Sequence, residues 1–245
     1  MSEPLIETIT RKYMKGPHKA VRPVDASSII LMDMSAAQPR VLMGKRNPAA
    51  KFMPGVFVFP GGRVEKGDGD VPHAGSLSAD DMRRLGQFVT RPTLRRLRGL
   101  ALGAIRETFE ETGLRISVPA TAPIAAQSDS SWAAFLATGE LPNLDGLMFL
   151  ARAITPPGRP RRFDTRFFAI DVSSITDVST VKPTPESELV ELRWVTLDEA
   201  MTLDVVEITQ IILEALRGVM AANFAPEAAR PFFRARHRKF ERIAL

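Results

Sequence analysis

Apolar positions in the first part of the chain fall into short runs of strand length, each bounded by turn residues. The run at 26–32 (ASSIILM), a turn at 36–39 and a second run at 40–43 predict an antiparallel pair. Residues 56–59 (VFVF) add a strand that ends at Pro60-Gly61-Gly62. Residues 1–24 are polar and punctuated by proline, which suits an arm leading into the first strand. The period then changes. Over 93–112, Leu94, Leu97, Leu100, Ala101, Ala104, Ile105 and Thr108 recur on one broad helical face, and Gly113 with Leu114 supplies a left-handed cap and its hydrophobic contact. Between Gly67 and Leu100 lies a polar, arginine-rich segment with a helix signal of its own. Ser78 is placed to cap it, Asp80 and Asp81 fall in its first turn, and Arg83 and Arg84 follow. Further on, 116–118, 147–154, 167–172 and 191–195 read as strands, 131–137 as a short helix and 197–222 as one long or two consecutive helices. Residues 225–245 form a basic tail containing phenylalanines. Strands mixed with a few helices predict one layered α/β domain over 1–245, without an internal repeat.

Composition narrows this picture. At 245 residues, 44% hydrophobic and 25% charged, the chain can bury a sizeable core, and wholesale disorder is excluded. The absence of cysteine removes disulfide scaffolds, thiolate metal sites and thiol nucleophiles together. No apolar stretch approaches the roughly 18 residues needed to span a bilayer, and the N-terminus lacks a secretory h-region, so a cytoplasmic protein is expected. The net charge of +5 points to anionic company, but it is unevenly spread. Arg230, Arg234, Arg236, Arg238, Lys239 and Arg242 against Glu241 account for all of it, leaving 27 cations and 27 acids in 1–229. Nucleic acid at a catalytic site is therefore not expected.

The densest chemistry lies in Arg106-Glu107-Thr108-Phe109-Glu110-Glu111-Thr112-Gly113-Leu114. On a helix Glu110 falls about 60° to one side of Glu107 and Glu111 about 40° to the other, so three carboxylates share one arc and are expected to converge. Like charges so spaced repel unless a cation neutralises them, and hard divalent ions with oxygen ligands are the natural partners. A plain solvated acidic face, relieved by Arg106, is the simpler reading of the same residues.

With Gly62 upstream, these residues resemble the box of the Nudix hydrolases, G-x5-E-x7-R-E-U-x-E-E-x-G-U, in which U is aliphatic. Arg106, Glu107, Glu110, Glu111, Gly113 and Leu114 all stand in place. Three departures accompany them: Asp68 takes the first glutamate position, Thr108 an aliphatic one, and 37 residues rather than seven separate Asp68 from Arg106. The resemblance implies a Nudix fold, a mixed sheet between helices (α/β/α), with a helical insertion at 69–98. Residues 41–62, with Arg46, Gly55 and Phe59 to Gly62 in register, are similar to the signature of the coenzyme A diphosphatase branch, from which Asn47 and Lys51 depart. The stretch Phe52-Met53-Pro54-Gly55, the interrupted box and the run from Ile154-Thr155-Pro156 to Arg161-Arg162-Phe163-Asp164-Thr165-Arg166-Phe167-Phe168 are closer still to its peroxisomal-type members and their bacterial relatives.

What the resemblance implies is metal-dependent hydrolysis of a diphosphate in a small nucleotide, with coenzyme A or acyl-coenzyme A as the first candidate. ADP-ribose or a dinucleotide is the alternative, and a non-catalytic nucleotide- or RNA-binding module an alternative of another class. Glu107, Glu110 and Glu111 would hold Mg2+ or Mn2+, with Arg106, Asp68 and Gly113 as structural members of the box. Glu188, or else Glu186, would be the general base. Arg46, Lys51, Arg161 and Arg162 are candidates for gripping phosphate, Phe52 and Phe163 for stacking on a base, and Gly61 and Gly62 for lining the site. A homodimer is a further expectation. His18, His73 and His237 form no metal pattern, and Trp132 and Trp194 are assigned to packing.

Overall fold

The computed structural model describes residues 6–8, 10, 21–124, 131–175, 183–237 and 239–245. Most of the expected arm, with His18, and Arg238 of the tail lie outside the described residues.

Strand β1 (Val24–Asp33) is the spine of the fold. It pairs in parallel with β8 (Phe163–Asp171) and antiparallel with β2 (Arg40–Arg46), and a core packs on each of its faces, which its continuous apolar run suits. Alternate side chains serve opposite layers: Ile29 and Leu31 point into one core, Ile30 and Met32 into the other. The sheet runs β11-β10-β7-β8-β1-β2-β3, with β4 also pairing β1 and β9 also pairing β2. Here β3 is Phe57–Val58, β4 Gly61–Arg63, β7 Met148–Ile154, β9 Leu189–Thr196, β10 Pro231–Arg236 and β11 Lys239–Ala244. Two short strands, β5 (Ser117–Pro119) and β6 (Glu140–Pro142), form a separate antiparallel pair.

One face of the sheet carries α1 (Ala79–Gly86), α2 (Leu94–Thr112) and α3 (Ala133–Leu136); Leu100, Ala104 and Ile105 of α2 are fully buried there. The other face carries α4 (Leu197–Thr202) and α5 (Glu207–Ala221), through Ile211, Ile212 and Leu216. The expected layering of helices on both sides of a mixed sheet is thus present. Local signals behave as their chemistry requires. Ser78 caps α1 by accepting from Asp81 N, Thr93 caps α2 by accepting from Arg96 N, and Gly113 ends α2 at φ 75°. Thr196 and Glu199 form a reciprocal capping box at the start of α4. No helix among the described residues is long and apolar enough to cross a membrane.

Three expectations change. The VFVF strand is only two residues long, because Gly61–Arg63 leaves it to pair with β1 instead. Leu94, assigned to the buried face of α2, is 73% exposed at the helix start. Of the two readings of 197–222, the structure has the two consecutive helices, separated at 203–206. The basic tail folds into a hairpin: β10 joins β7 in parallel, β11 closes the edge, and Phe232, Phe233 and Phe240 are buried beneath them.

Candidate active site

Position begins with β1. Ser28 pairs with Gly61 and Ser27 with Gly62, which seats the Pro60-Gly61-Gly62 turn on the sheet directly beside α2. Only glycine fits this approach. A side chain on Gly61 would strike the Ser27 carbonyl, and one on Gly62 would occupy the place of the Glu107 carboxylate. The Gly61 N–H donates to Glu111 Oε2 at 2.8 Å.

Arg106 organises the rest. It is 2% exposed, and its Nη1 meets Glu107 Oε1 at 3.0 Å and both oxygens of Glu110 at 3.1 Å. Its Nε donates to Asp68 Oδ1 at 3.0 Å and its Nη2 to the Arg63 carbonyl at 2.8 Å. Burial alone would lower its pKa, but the Asp68, Glu107 and Glu110 carboxylates more than offset that and hold the guanidinium firmly charged. Asp68, whose place in the interrupted box was open, is fully buried. It also accepts from Trp132 Nε1 at 2.9 Å and from Glu65 N at 2.8 Å. Trp132 is therefore more than packing. No local signal could have linked it to Asp68 across 64 positions of sequence.

The fourth carboxylate comes from the other end of the fold. Glu188 precedes β9; its Oε1 meets Arg46 Nη2 at 2.8 Å, and its carbonyl accepts from Asn47 N at 2.9 Å. Asn47, a departure from the diphosphatase signature, thus has work of its own: its side-chain amide also donates to the Pro185 carbonyl, tying this loop to the end of β2. Electrostatically Glu188 belongs with the α2 acids. Burial, with repulsion from Glu110 and Glu188, outweighs Arg106 and raises Glu107 to about 7. Burial and repulsion from Glu188 and Glu107 raise Glu111 to about 8 despite the Gly61 bond.

One expectation about these acids is corrected. They share an arc, but among the described residues no three converge as a cation-holding group. Each carboxylate instead faces a donor of its own: Glu110 and Glu107 face Arg106, Glu111 faces Gly61 and Glu188 faces Arg46. The donor chemistry nonetheless fits a hard divalent ion: four carboxylates and no nitrogen or sulfur ligand, two of them kept from full ionisation by burial and mutual repulsion.

A prediction follows from the sign of these shifts. With folded pKa values above the unfolded 4.5, Glu107 and Glu111 bind more protons when folded, so their contribution weakens as pH rises from about 4.5 to about 8. Tm of cation-stripped protein is expected to fall across that window. Millimolar Mn2+ should restore it, with the larger gain at pH 8 than at pH 6 in a thermal melt. An Mn2+ response equal at both pH values would contradict this electrostatic account.

The substrate candidates separate. Phe52 and Phe163 form an edge-on pair with centroids 5.9 Å apart, and Arg46 Nε donates to the Phe52 carbonyl at 3.0 Å, so this pair lies beside the Arg46–Glu188 contact. Lys51 is exposed on the same loop, and Arg161 is exposed beyond it. Arg162 is committed elsewhere: its guanidinium donates to the carbonyls of Thr155 (2.8 Å) and Val21 (2.7 Å), closing the turn before β8. Two further residues of the same motif have a buried structural task. Asp164 pairs with Arg152 at 2.7 Å, and Arg166 links Asp164 to Asp25, which Arg96 of α2 also holds.

The chain is 30% identical over 181 residues to a Caenorhabditis elegans protein provisionally named nudix hydrolase 7, a match covering 69% of this chain and 50% of that relative. It thus spans about half the length of that curated relative. A crystal structure of a Nudix hydrolase from Alicyclobacillus acidocaldarius superposes with a TM-score of 0.58 and 25% identity, covering 80% of this chain and 91% of that one. No protein-family model matches. Sequence and fold together place the chain in the Nudix hydrolase superfamily.

Proposed function

We propose that the protein hydrolyses the diphosphate linkage of a nucleoside diphosphate derivative with the help of a divalent cation. The observation that carries this reading is that four carboxylates, Glu107, Glu110 and Glu111 from α2 and Glu188 from the loop before β9, feel one another's charge beside the Gly61-Gly62 turn, although no three of them close on a common point. Glu107, Glu110 and Glu111 would hold Mg2+ or Mn2+. The bound cation would supply charge neutralisation on the phosphate oxygens and a more acidic water. Arg106 fixes the orientation of two of these acids. Glu188, more exposed than Glu107 and held by Arg46, is the residue to take a proton from the attacking water. Arg46, paired with Glu188, and the exposed Lys51 suit the flanking phosphate charge, while the Phe52–Phe163 pair offers a platform for a nucleobase.

Coenzyme A or an acyl derivative is the favoured substrate, on the strength of the 41–62 segment and the 154–168 run. The test is a hydrolysis panel of coenzyme A, ADP-ribose and NADH with Mg2+ or Mn2+. Release of 3′,5′-ADP and 4′-phosphopantetheine from coenzyme A is expected, and Glu188→Gln should lower kcat by roughly 10²–10⁴-fold with KM little changed. Cleavage of ADP-ribose or NADH but not coenzyme A would keep the diphosphatase reading and remove the substrate. Cation-dependent turnover of none of them would overturn both.

A further inference from the structure

The aspartate at position 68 is one methylene shorter than the glutamate its place calls for, yet it reaches Arg106 with both oxygens, at 3.0 and 3.3 Å. Two features of the structure make up the reach. The first is a glycine seam. The 3-10 turn Asp68–Asp70 lies directly on α2, where a Cβ on Gly99 would stand 3.1 Å from Gly69 N and one on Gly103 would stand 2.6 Å from Asp68 Oδ2. A Cβ on Gly69 would meet the Arg95 carbonyl. With three side chains absent, the two backbones approach more closely than residues with a Cβ allow, and the carboxylate is carried toward Arg106. The second is Trp132, whose indole N–H donates to Asp68 Oδ1 while Gly103 faces Oδ2, and whose ring packs on Phe135, itself against Phe109 of α2.

We propose that Trp132 is a positioning residue of the candidate active site. By fixing Asp68 against the glycine seam, it sets the guanidinium of Arg106, and through it Glu107 and Glu110, in the arrangement that receives the cation. The long interruption between Asp68 and Arg106 is then compatible with a working box. The chain re-establishes the contact through a residue that follows the box, rather than through the spacing inside it. The kinetic part of this proposal rests on the hydrolase reading above; the cation-binding part does not.

The experiment compares wild type, Trp132→Phe, Gly103→Ala and the double variant. Mn2+ binding to cation-stripped protein is measured by isothermal titration, Tm in the absence of cation by thermal melting, and kcat and KM on whichever panel substrate wild type turns over best. Trp132→Phe keeps the aromatic packing and deletes one N–H. It is expected to weaken Mn2+ binding about tenfold and to lower kcat about tenfold at unchanged KM, since supporting contacts to metal-holding residues typically carry effects of that size. Gly103→Ala presses on the other oxygen of Asp68 and is expected to do the same. The double variant should lose little more than either single one, because both act through the same carboxylate.

A fall in Tm for Trp132→Phe with Mn2+ affinity and kcat as in wild type would overturn the proposal and leave Trp132 as packing. Losses that simply multiply in the double variant would overturn the shared route through Asp68. If Trp132→Phe does not fold, Gly103→Ala decides by the same two readouts. If wild type binds Mn2+ but turns over no substrate, the hydrolase reading fails and the titration alone judges the positioning role. A wild type that binds no Mn2+ overturns it.

Discussion

Glu111→Gln is expected to lower kcat for cation-dependent hydrolysis by roughly 10²- to 10³-fold and, in the same protein, to raise the cation-free Tm. The two effects share one cause. Glu111 is held by the Gly61 N–H in a buried position where Glu188 and Glu107 repel it, and its pKa of about 8 measures how uphill its charge is there. The amide keeps the shape and still accepts from Gly61, but it removes the charge. Without a cation that is relief. With one, it is the loss of a negatively charged ligand, worth several kcal/mol in the transition state, and each 1.36 kcal/mol is a factor of ten in rate. Steady-state kinetics with Mn2+ and a melt in chelator test both halves. Activity equal to wild type would sink the catalytic assignment of the α2 acids.

Arg106→Ala should be the most destabilising single change at the site, by about 3–5 kcal/mol, the usual cost of removing one partner of a buried ion pair. Asp68 would be left fully buried with only Trp132 and the Glu65 N–H as partners, and Glu107 and Glu110 would lose their shared donor. For a chain of this size the expected fall in Tm is roughly 6–20 °C. Arg106→Lys should recover only part of it, because an ammonium cannot serve Asp68, Glu107, Glu110 and the Arg63 carbonyl at once as the planar fork does. A melt within 2 °C of wild type for Arg106→Ala would mean that Asp68 finds another partner.

Much of this molecule was readable where short-range chemistry decides it. The caps at Ser78 and Gly113, the strand-length apolar run of β1 and the RExxEExG spacing are local patterns, and each sits where its residues demand. What was not readable depends on distant residues meeting. Trp132 finds Asp68 across a gap no local pattern encodes, and Asn47 finds Pro185 in the same way. Arg162 looks like a phosphate ligand in a basic turn, yet nearby carbonyls claim it first. The convergence expected of the α2 acids failed for a related reason: helical geometry fixes where a side chain starts, while Arg106 and Gly61 decide where its carboxylate ends. The tail was missed because its two strands are short and studded with arginine, and only pairing with β7 makes them sheet.

That hairpin alters the meaning of the charge excess. β11 is the last strand of the sheet among the described residues, with Phe240 N donating to Thr10 Oγ1 at 3.1 Å, and the remaining groups of such an edge are where another chain's strand can be recruited. Lys239 and Arg242 stand exposed on it, and Arg236 beside it on β10. Two such borders approaching one another would bring like charges together. The charge excess is thus concentrated where it disfavours pairing of this border with a second copy of itself.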